Sequence, residues 1–351
     1  MKTKLASIFV IFLILSSCSN PESNIDNQAS LTGLSGDINN NLLFDNQDTQ
    51  LLESPDHIRV FGEVKEEQEI MLSTLKLRSV VVKEVLPEDG KPAFKGTYRY
   101  DGYSLEDLLG YVELDKKSEF NPITDLYVKV HNSEGSYALI SWAKIFYPVH
   151  HHLQLITTRV SRHVPYKTPD VQYPLPQKSK LVIGNDLLTC RNITNPVSIE
   201  VCSCQGDFPE IEMDRLFWPT LTLQGFSDSQ VVLEELPPSL PEKESEMVFY
   251  GRGRGIHQLS PFKGCYLSDL LWEYSQPDQE LLRTGYIIAS SPDAYHTIFS
   301  VSEIMNRNDR LETLIIDEDN YEQAGQFSLV VSGDFFSDRA MKALSRIELR
   351  K

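Results

Sequence analysis

A glycine–arginine run is the most concentrated basic feature of this chain. Residues 251–255 read Gly-Arg-Gly-Arg-Gly and are followed by His257. Two guanidinium groups on a glycine-rich backbone can hold an anion, so Arg252 and Arg254 are candidate ligands for a small anionic molecule. The run lacks the lysine and serine of a P-loop and does not open a helix after a strand. The alternative is a plain mobile loop.

Histidines form a second concentration of potential ligands. His150, His151 and His152 are consecutive, and His163 follows. Imidazole is a common metal and haem ligand. Successive residues of a strand point to opposite faces, so only His150 and His152 could converge on one ion. The alternative is that these side chains are solvated or partly buried at the start of a strand.

Five cysteines are present, and the first of them, Cys18, belongs to the N-terminal segment. The other four are an even number, which favours disulfides in an exported protein. Cys202 and Cys204 share one face of a predicted strand, so a bond between them would be strained. We therefore predict that Cys190 pairs with Cys202 or Cys204. The spacing matches no common zinc site.

The elements that must position these residues occur twice. Residues 180–201, KLVIGNDLLTCRNITNPVSIEV, align without a gap on residues 328–349, SLVVSGDFFSDRAMKALSRIEL. The segment YDGYSLEDLL at 100–109 likewise matches FKGCYLSDLL at 262–271. A period of about 150 residues is too long for a solenoid repeat and fits a duplicated domain.

Each copy alternates strand patterns with short helical patterns. In both, a glycine precedes a Leu-x-Asp-Leu-Leu segment, where apolar residues change from strand to helical spacing. Mixed strands and short helices in this order predict an α+β fold. We place the first domain at residues 51–206 and the second at residues 207–351, with an insertion in the first at 158–177.

The N-terminus reads as a targeting segment. Lys2 and Lys4 precede an apolar run, and Leu-Ser-Ser-Cys at 15–18 resembles the bacterial lipobox. We predict a signal peptide at residues 1–17, lipid attachment at Cys18 and a flexible polar tether at residues 18–50. Ser19 is not the aspartate associated with inner-membrane retention, so the outer membrane is the expected location. The alternative is an ordinary signal peptide.

The negative net charge limits the classes of binding partner that are expected. The formal net charge is -17, and removal of Lys2 and Lys4 makes the mature chain more negative. Such a chain is expected to bind no nucleic acid, and its only membrane attachment is expected to be the lipid. A partner protein of the envelope or a small anionic ligand remains compatible with the local basic residues.

The order of these motifs resembles the molybdopterin-binding oxidoreductase domain of sulfite oxidases and plant nitrate reductases. The match rests on G-x-x-L-x-D-L-L, a strand and polar turn, L-V-x-x-D-x-x-x-x-R and a closing I-E-[VL], seen twice. It implies two tandem copies of that fold, with molybdopterin as the cofactor. The ending Arg339-Ala340-Met341-Lys342 implies that Arg339 and Lys342 hold the pterin phosphate, and Arg191 is the corresponding residue of the first copy. The alternative for Arg191 and Arg339 is an ion pair with the aspartate five residues earlier.

The resemblance is incomplete at the metal ligand. Molybdenum members carry a cysteine upstream of the glycine-helix landmark, but residues 78–99 and 242–263 contain none. We therefore expect an envelope lipoprotein that binds a ligand or partner, with no cofactor assigned. The first alternative is an atypical molybdopterin-dependent oxidoreductase with its cofactor in the second copy. The second is a pair of structural domains in a surface complex.

Overall fold

The computed structural model describes residues 44–45, 49–165, 173–251, 255–317 and 325–351. The fold is mostly β, with 47% strand and 12% helix. The predicted α+β class, with two tandem sulfite-oxidase-like domains, is therefore wrong. The segments predicted as helices are short, since Leu105–Leu109 and Trp142–Phe146 each form a helix of five residues between longer strands. None of the helices in the described ranges has the length and hydropathy of a membrane span.

The first half of the described chain consists of strands with two short α-helices. Its strands are β1 (Phe44–Asp45), β2 (Thr49–Leu51), β3 (His57–Gly62), β4 (Gln68–Met71), β5 (Arg78–Glu88), β6 (Lys91–Ser104), β7 (Leu126–Asn132), β8 (Tyr137–Ser141), β9 (Gln154–Arg162), β10 (Val164–Pro165), β11 (Leu181–Ile183) and β12 (Pro196–Ser203). Its α-helices are α1 (Leu105–Leu109) and α2 (Trp142–Phe146), and Leu72–Thr74 is a single 3-10 turn.

The second half repeats this order without counterparts of β1, β2 and β10 and with one additional helix. Its strands are β13 (Leu221–Gln224), β14 (Val231–Leu233), β15 (Lys243–Gly251), β16 (Gly255–Tyr266), β17 (Tyr286–Ser290), β18 (His296–Ser300), β19 (Thr313–Asp317), β20 (Phe327–Val331) and β21 (Arg346–Arg350). Its helices are α3 (Leu267–Trp272), α4 (Gln279–Thr284) and α5 (Val301–Met305), with a 3-10 turn at Ser337–Arg339.

The sheets confirm the duplication strand by strand. Sheet A of the first half has the order β11-β9-β6-β5, and sheet A′ of the second has β20-β19-β16-β15. Sheet B has the order β4-β3-β12-β7-β8, and sheet B′ has β14-β13-β21-β17-β18. The four sheets are arranged as the blades of a four-bladed β-propeller. In each half the closing strand pairs in parallel with the opening strand, β12 with β3 and β21 with β13.

No sheet of the described chain mixes strands from both halves, and the bridges Pro148–Asp334 and Asp186–Arg307 are isolated pairs that join them. The end of the predicted tether, however, belongs to the first half. Strand β1 pairs with β10, and β2 pairs with β9. The predicted signal peptide and Cys18 lie outside the described residues.

Close approach of a neighbouring strand explains why a glycine precedes the Leu-x-Asp-Leu-Leu segment in each half. A Cβ on Gly102 would lie 2.2 Å from the Ile156 carbonyl oxygen, and one on Gly264 would lie 2.1 Å from the Ile315 carbonyl oxygen. Only glycine permits the neighbouring strand to approach this closely. Because the glycine is followed within three residues by a short helix, both halves turn from sheet to helix at the same point.

Equivalent edges of the two halves meet at a buried interface. The rings of Tyr127 and Tyr286, which occupy equivalent positions on β7 and β17, stack with centroids 5.5 Å apart. Leu139 of β8 and Ile298 of β18 are also equivalent, and both are buried in the same cluster. Contact between equivalent residues is the signature of a two-fold relation. The halves therefore pack as an internal pseudo-dimer.

A candidate binding groove between the two halves

A buried carboxylate shapes one wall of a groove at this interface. Asp125, directly before β7, is fully buried, and its Oδ1 lies 2.8 Å from Lys116 Nζ. Ser118 Oγ donates to Asp125 Oδ2 at 2.7 Å, and Lys116 also donates to the carbonyl oxygen of Pro122 at 2.5 Å. A buried charge needs such partners to offset its desolvation. The loop at residues 116–122 is thus fixed by its own ion pair.

An aromatic sandwich forms the floor of the groove. The imidazole of His296, at the start of β18, lies between the rings of Phe120 and Phe208, with both centroid distances 3.9 Å. Phe120 comes from the first half, Phe208 from the segment that connects the halves, and His296 from the second half. Tyr295 meets the edge of Phe120 with ring centroids 5.6 Å apart. Three separate parts of the chain therefore meet in one stack.

The protonation state of His296 follows from its contacts. Its Nδ1 lies 2.9 Å from the carbonyl oxygen of Ala294, which can only accept, so Nδ1 carries the hydrogen. Burial lowers the pKa of His296, and the Ala294 carbonyl and Asp125 oppose this effect only in part. The ring is therefore neutral at neutral pH, and Nε2, which lies 4.0 Å from Asp125 Oδ2, is an acceptor.

The groove above this stack has a volume of about 840 Å³. Its lining consists of Lys117, Ser118, Glu119, Phe120, Asn121, Pro122, Cys204, Gln205, Gly206, Phe208, Glu210, Ala294, Tyr295 and His296. This volume lies within the range of small-molecule sites, which are typically about 300–1,000 Å³ and often form between domains. Aromatic rings on the floor and charged groups of both signs at the rim suit a ligand with apolar and polar parts.

A thiol also lines the groove, but it is not activated. Burial raises the pKa of Cys204 to about 12. A cysteine attacks as its thiolate, so this group is a poor nucleophile at neutral pH. Cys204 therefore contributes to the lining of the groove but is not an activated nucleophile.

The arginines that the resemblance assigned to a pterin phosphate are engaged in ion pairs. Arg191 is fully buried and donates to both carboxylate oxygens of Asp186, at 2.8 and 2.5 Å. Arg339 donates to both oxygens of Asp334 at 2.7 Å, and to Glu303 at 2.7 Å. The alternative of an ion pair with the aspartate five residues earlier is therefore the arrangement found in both halves.

The other predicted cofactor ligands do not join them. Lys342 is exposed, whereas Arg339, three residues earlier, is 1% exposed, so the two side chains do not form one phosphate site. Arg252 and Arg254 lie outside the described residues. Within the described residues no group of three or more histidine, cysteine or acidic side chains is placed to hold a metal ion. As placed, Arg191, Arg339 and Lys342 do not form a site for the pterin phosphate.

The predicted disulfide is not formed in the structure, where Cys190, Cys202, Cys204 and Cys265 are free thiols. Cys190 belongs to the first half in sequence, but it packs into the core of the second. Cys202 packs instead beside the paired tyrosines at the interface. The disulfide prediction required Cys190 to pack beside Cys202 or Cys204, which follow it closely in sequence.

The histidine side chains contact residues at the start of helix α1 and do not converge on a metal site. His151 Nδ1 lies 3.1 Å from both carboxylate oxygens of Glu106, and His152 Nδ1 lies 3.0 Å from Ser104 Oγ. His150 is exposed, and His163 is buried elsewhere. This matches the alternative of solvated and partly buried histidines.

Of the residues that line the groove, the sequence analysis named only Cys204, and as a disulfide candidate. Asp125, His296 and Phe208 are far apart in sequence and share no motif spacing. Phe208 belongs to the segment between the two copies, which also contains Phe217 and Trp218, so its aromatic character does not single it out.

Neither the protein-family models nor the curated proteins contain a match to this chain. Its function is therefore argued from the geometry.

Proposed function

We propose that this chain is a binding protein of the bacterial cell envelope, held by lipid at Cys18, and that its ligand occupies the groove between the two halves. The observation that carries the proposal is the composition of the groove. Both halves and the connecting segment contribute to one cavity of about 840 Å³ with an aromatic floor. Support for the envelope location comes from the N-terminal sequence pattern alone.

The walls favour binding because they are preorganised. The loop that carries Phe120 is held by the Lys116–Asp125 pair, and the connecting segment is held by Ile211, whose N–H donates to the Pro292 carbonyl oxygen at 2.8 Å. A site whose walls are already ordered loses less conformational entropy when a ligand binds. Tyr295 and Phe120 then offer ring edges and faces for contact.

The opposite side of the interface supplies an internal comparison. Helix α4 lies there and packs against β8, with Leu281 and Leu282 buried. Counted back from the equivalent residues Tyr127 and Tyr286, Gln279 corresponds to Phe120 and Glu280 to Asn121. In the described residues, helix α4 thus covers the side that corresponds to the open groove.

Native mass spectrometry of the chain released from its own envelope tests this proposal. The wild type should carry a non-covalent adduct that Phe120→Ala and Tyr295→Ala lose. The matched control Gln279→Ala should retain it, because it alters the equivalent position on the side that α4 fills. An adduct-free wild type, or an adduct equally retained by all variants, would contradict the proposal.

A further inference from the structure

A second cavity lies on the other side of Phe208, over the outer face of sheet B′. Its volume is about 280 Å³, and Phe208 and Trp218 line it together with polar residues of three strands. We call it the outer-face pocket. It is distinct from the groove between the halves, because its floor belongs to the second half alone.

The floor is a row of polar side chains on neighbouring strands. Thr222 of β13 is in register with Arg346 of β21, and Arg346 is in register with Ser290 of β17. Residues in register point to the same face, and neighbouring strands lie about 4.8 Å apart. Gln224, two residues after Thr222, shares this face. The opposite face buries Leu223 and Ile347 in the core.

Aromatic rings form the walls. The Trp218 carbonyl oxygen accepts from the Gln326 N–H at 2.9 Å, which fixes the backbone at that residue. Phe208 is fixed by its stack on His296, and the Arg346 guanidinium lies 5.8 Å from its ring centroid. The pocket therefore presents apolar surfaces beside a polar floor.

The chemistry of the lining favours a neutral ligand. Among the described residues that line the pocket, Arg346 is the only charged one, and its guanidinium already donates to the Asp207 carbonyl oxygen at 3.3 Å. A purely apolar ligand would leave the hydroxyl and amide groups of the floor without hydrogen bonds, which is unfavourable. An anionic ligand would find one partly engaged arginine in an acidic chain.

We propose that the outer-face pocket binds a neutral carbohydrate. A sugar ring has an apolar C–H face, which can lie on Trp218, and hydroxyls at its edge, which can reach Thr222, Gln224 and Arg346. The distance between neighbouring strands, about 4.8 Å, is comparable to the separation of alternate hydroxyls on a six-membered sugar ring. The volume suits one such ring, with the rest of a glycan extending into solvent.

A glycan array of neutral and acidic glycans tests this inference. The full-length lipidated chain is applied in a detergent without a sugar head group. Wild type and the control Trp272→Ala, which alters an exposed tryptophan of α3, should both retain neutral glycans. Trp218→Ala should reduce the retained signal at least about tenfold, because it removes the stacking surface.

Gln224→Ala provides a second variant, because the residue is exposed and its loss does not disturb the core. It should weaken retention while leaving the thermal unfolding midpoint unchanged. No retained glycan, retention of acidic glycans only, or retention unaffected by Trp218→Ala would overturn the inference. These outcomes do not depend on any adduct in the groove between the halves.

Discussion

The outer faces of sheets B and B′ share one strand order but carry different chemistry. In the first half the row equivalent to Thr222–Arg346–Ser290 is Arg59–Ser198–His131. Two of its members already have partners, because Arg59 pairs with Glu67 at 2.6 Å and His131 contacts Glu200 at 3.0 Å. These two polar side chains of sheet B thus have partners on their own face, whereas the outer face of sheet B′ has a pocket that a ligand can occupy.

The interface between the halves shows a second divergence. Lys144 and Glu303 occupy equivalent positions on α2 and α5, and both are buried. Glu303 accepts from Ser141 of the other half at 2.6 Å and from Arg339 of its own half at 2.7 Å. The Glu303 carboxylate offsets the charge of Arg339, whereas Lys144 at the related position adds a positive charge that Arg191 and Arg307 disfavour. A symmetric dimer would instead place like charges at these two positions.

Removal of the central arginines should have the largest effect. Arg339→Ala leaves both Asp334 and Glu303 buried without their cation and should cost about 4–5 kcal/mol of unfolding free energy. Arg191→Ala leaves only Asp186 and should cost about 3 kcal/mol. Urea denaturation of both variants gives the comparison.

A rescue distinguishes charge from packing. Adding Glu303→Gln to Arg339→Ala should recover part of the lost stability, because one uncompensated charge is removed. Equal losses for the two single variants, with no rescue, would contradict the assigned role of Glu303.

Lys144→Met should stabilise the protein by about 1–3 kcal/mol near pH 7. Burial, with Arg307 and Arg191, lowers the pKa of Lys144 to about 8, although Glu303 and Asp309 oppose the shift. The unfolded chain therefore binds this proton more tightly between pH 8 and its ordinary value of 10.5, and wild-type stability rises across that window.

The check is the difference in unfolding free energy between Lys144→Met and wild type at several pH values. It should shrink as the pH rises from 8 to 10.5. A difference that stays constant over this window would show that Lys144 is not a strained buried cation.

The helices that follow the two landmark glycines differ at their N-caps. Ser104 Oγ accepts from the Asp107 N–H at 3.0 Å, whereas Tyr266 provides no side-chain cap for α3. Ser104→Ala should therefore cost about 1 kcal/mol, and Tyr266→Ser should gain less than that. Thermal unfolding midpoints that move in the same direction for both variants would contradict this difference.

His296 should affect stability only in acid. Because its pKa is lowered by burial, the unfolded chain takes up this proton first as the pH falls below the ordinary value of 6.5. Wild type should thus lose stability relative to His296→Gln between pH 6.5 and 5, by less than about 1.4 kcal/mol per pH unit. Parallel pH profiles for the two proteins would show that the ring is not held neutral.

The sequence predicted the repeat well but not the fold class. Identities such as Asp186 with Asp334 and Ile199 with Ile347 aligned elements that the structure confirms as equivalent. Short helical patterns such as LEDLL indicate helices but not their share of the fold, because periodicity does not define length. Parallel pairing of β12 with β3 joins residues more than 130 positions apart and leaves no local pattern.

The candidate site was less predictable than the repeat. An arginine such as Arg339 has the same appearance in sequence whether it binds a phosphate or a buried aspartate. The groove depends on Phe120, Phe208 and His296, whose proximity results only from the packing of the two halves. Contact between equivalent residues is expected in a duplicated chain, so the repeat could have indicated the interface. It could not have indicated which side of the interface stays open as a groove.

Photo-crosslinking at equivalent positions tests the central claim most directly. Benzoylphenylalanine replaces Asn121, which lines the groove, or Glu280, which is exposed on α4 at the equivalent position. Both full-length proteins are irradiated in their native envelope, and their intact masses are compared. A ligand in the groove predicts an adduct at position 121 that is absent at position 280. Adducts at both positions, or at position 280 alone, would contradict a binding site between the two halves.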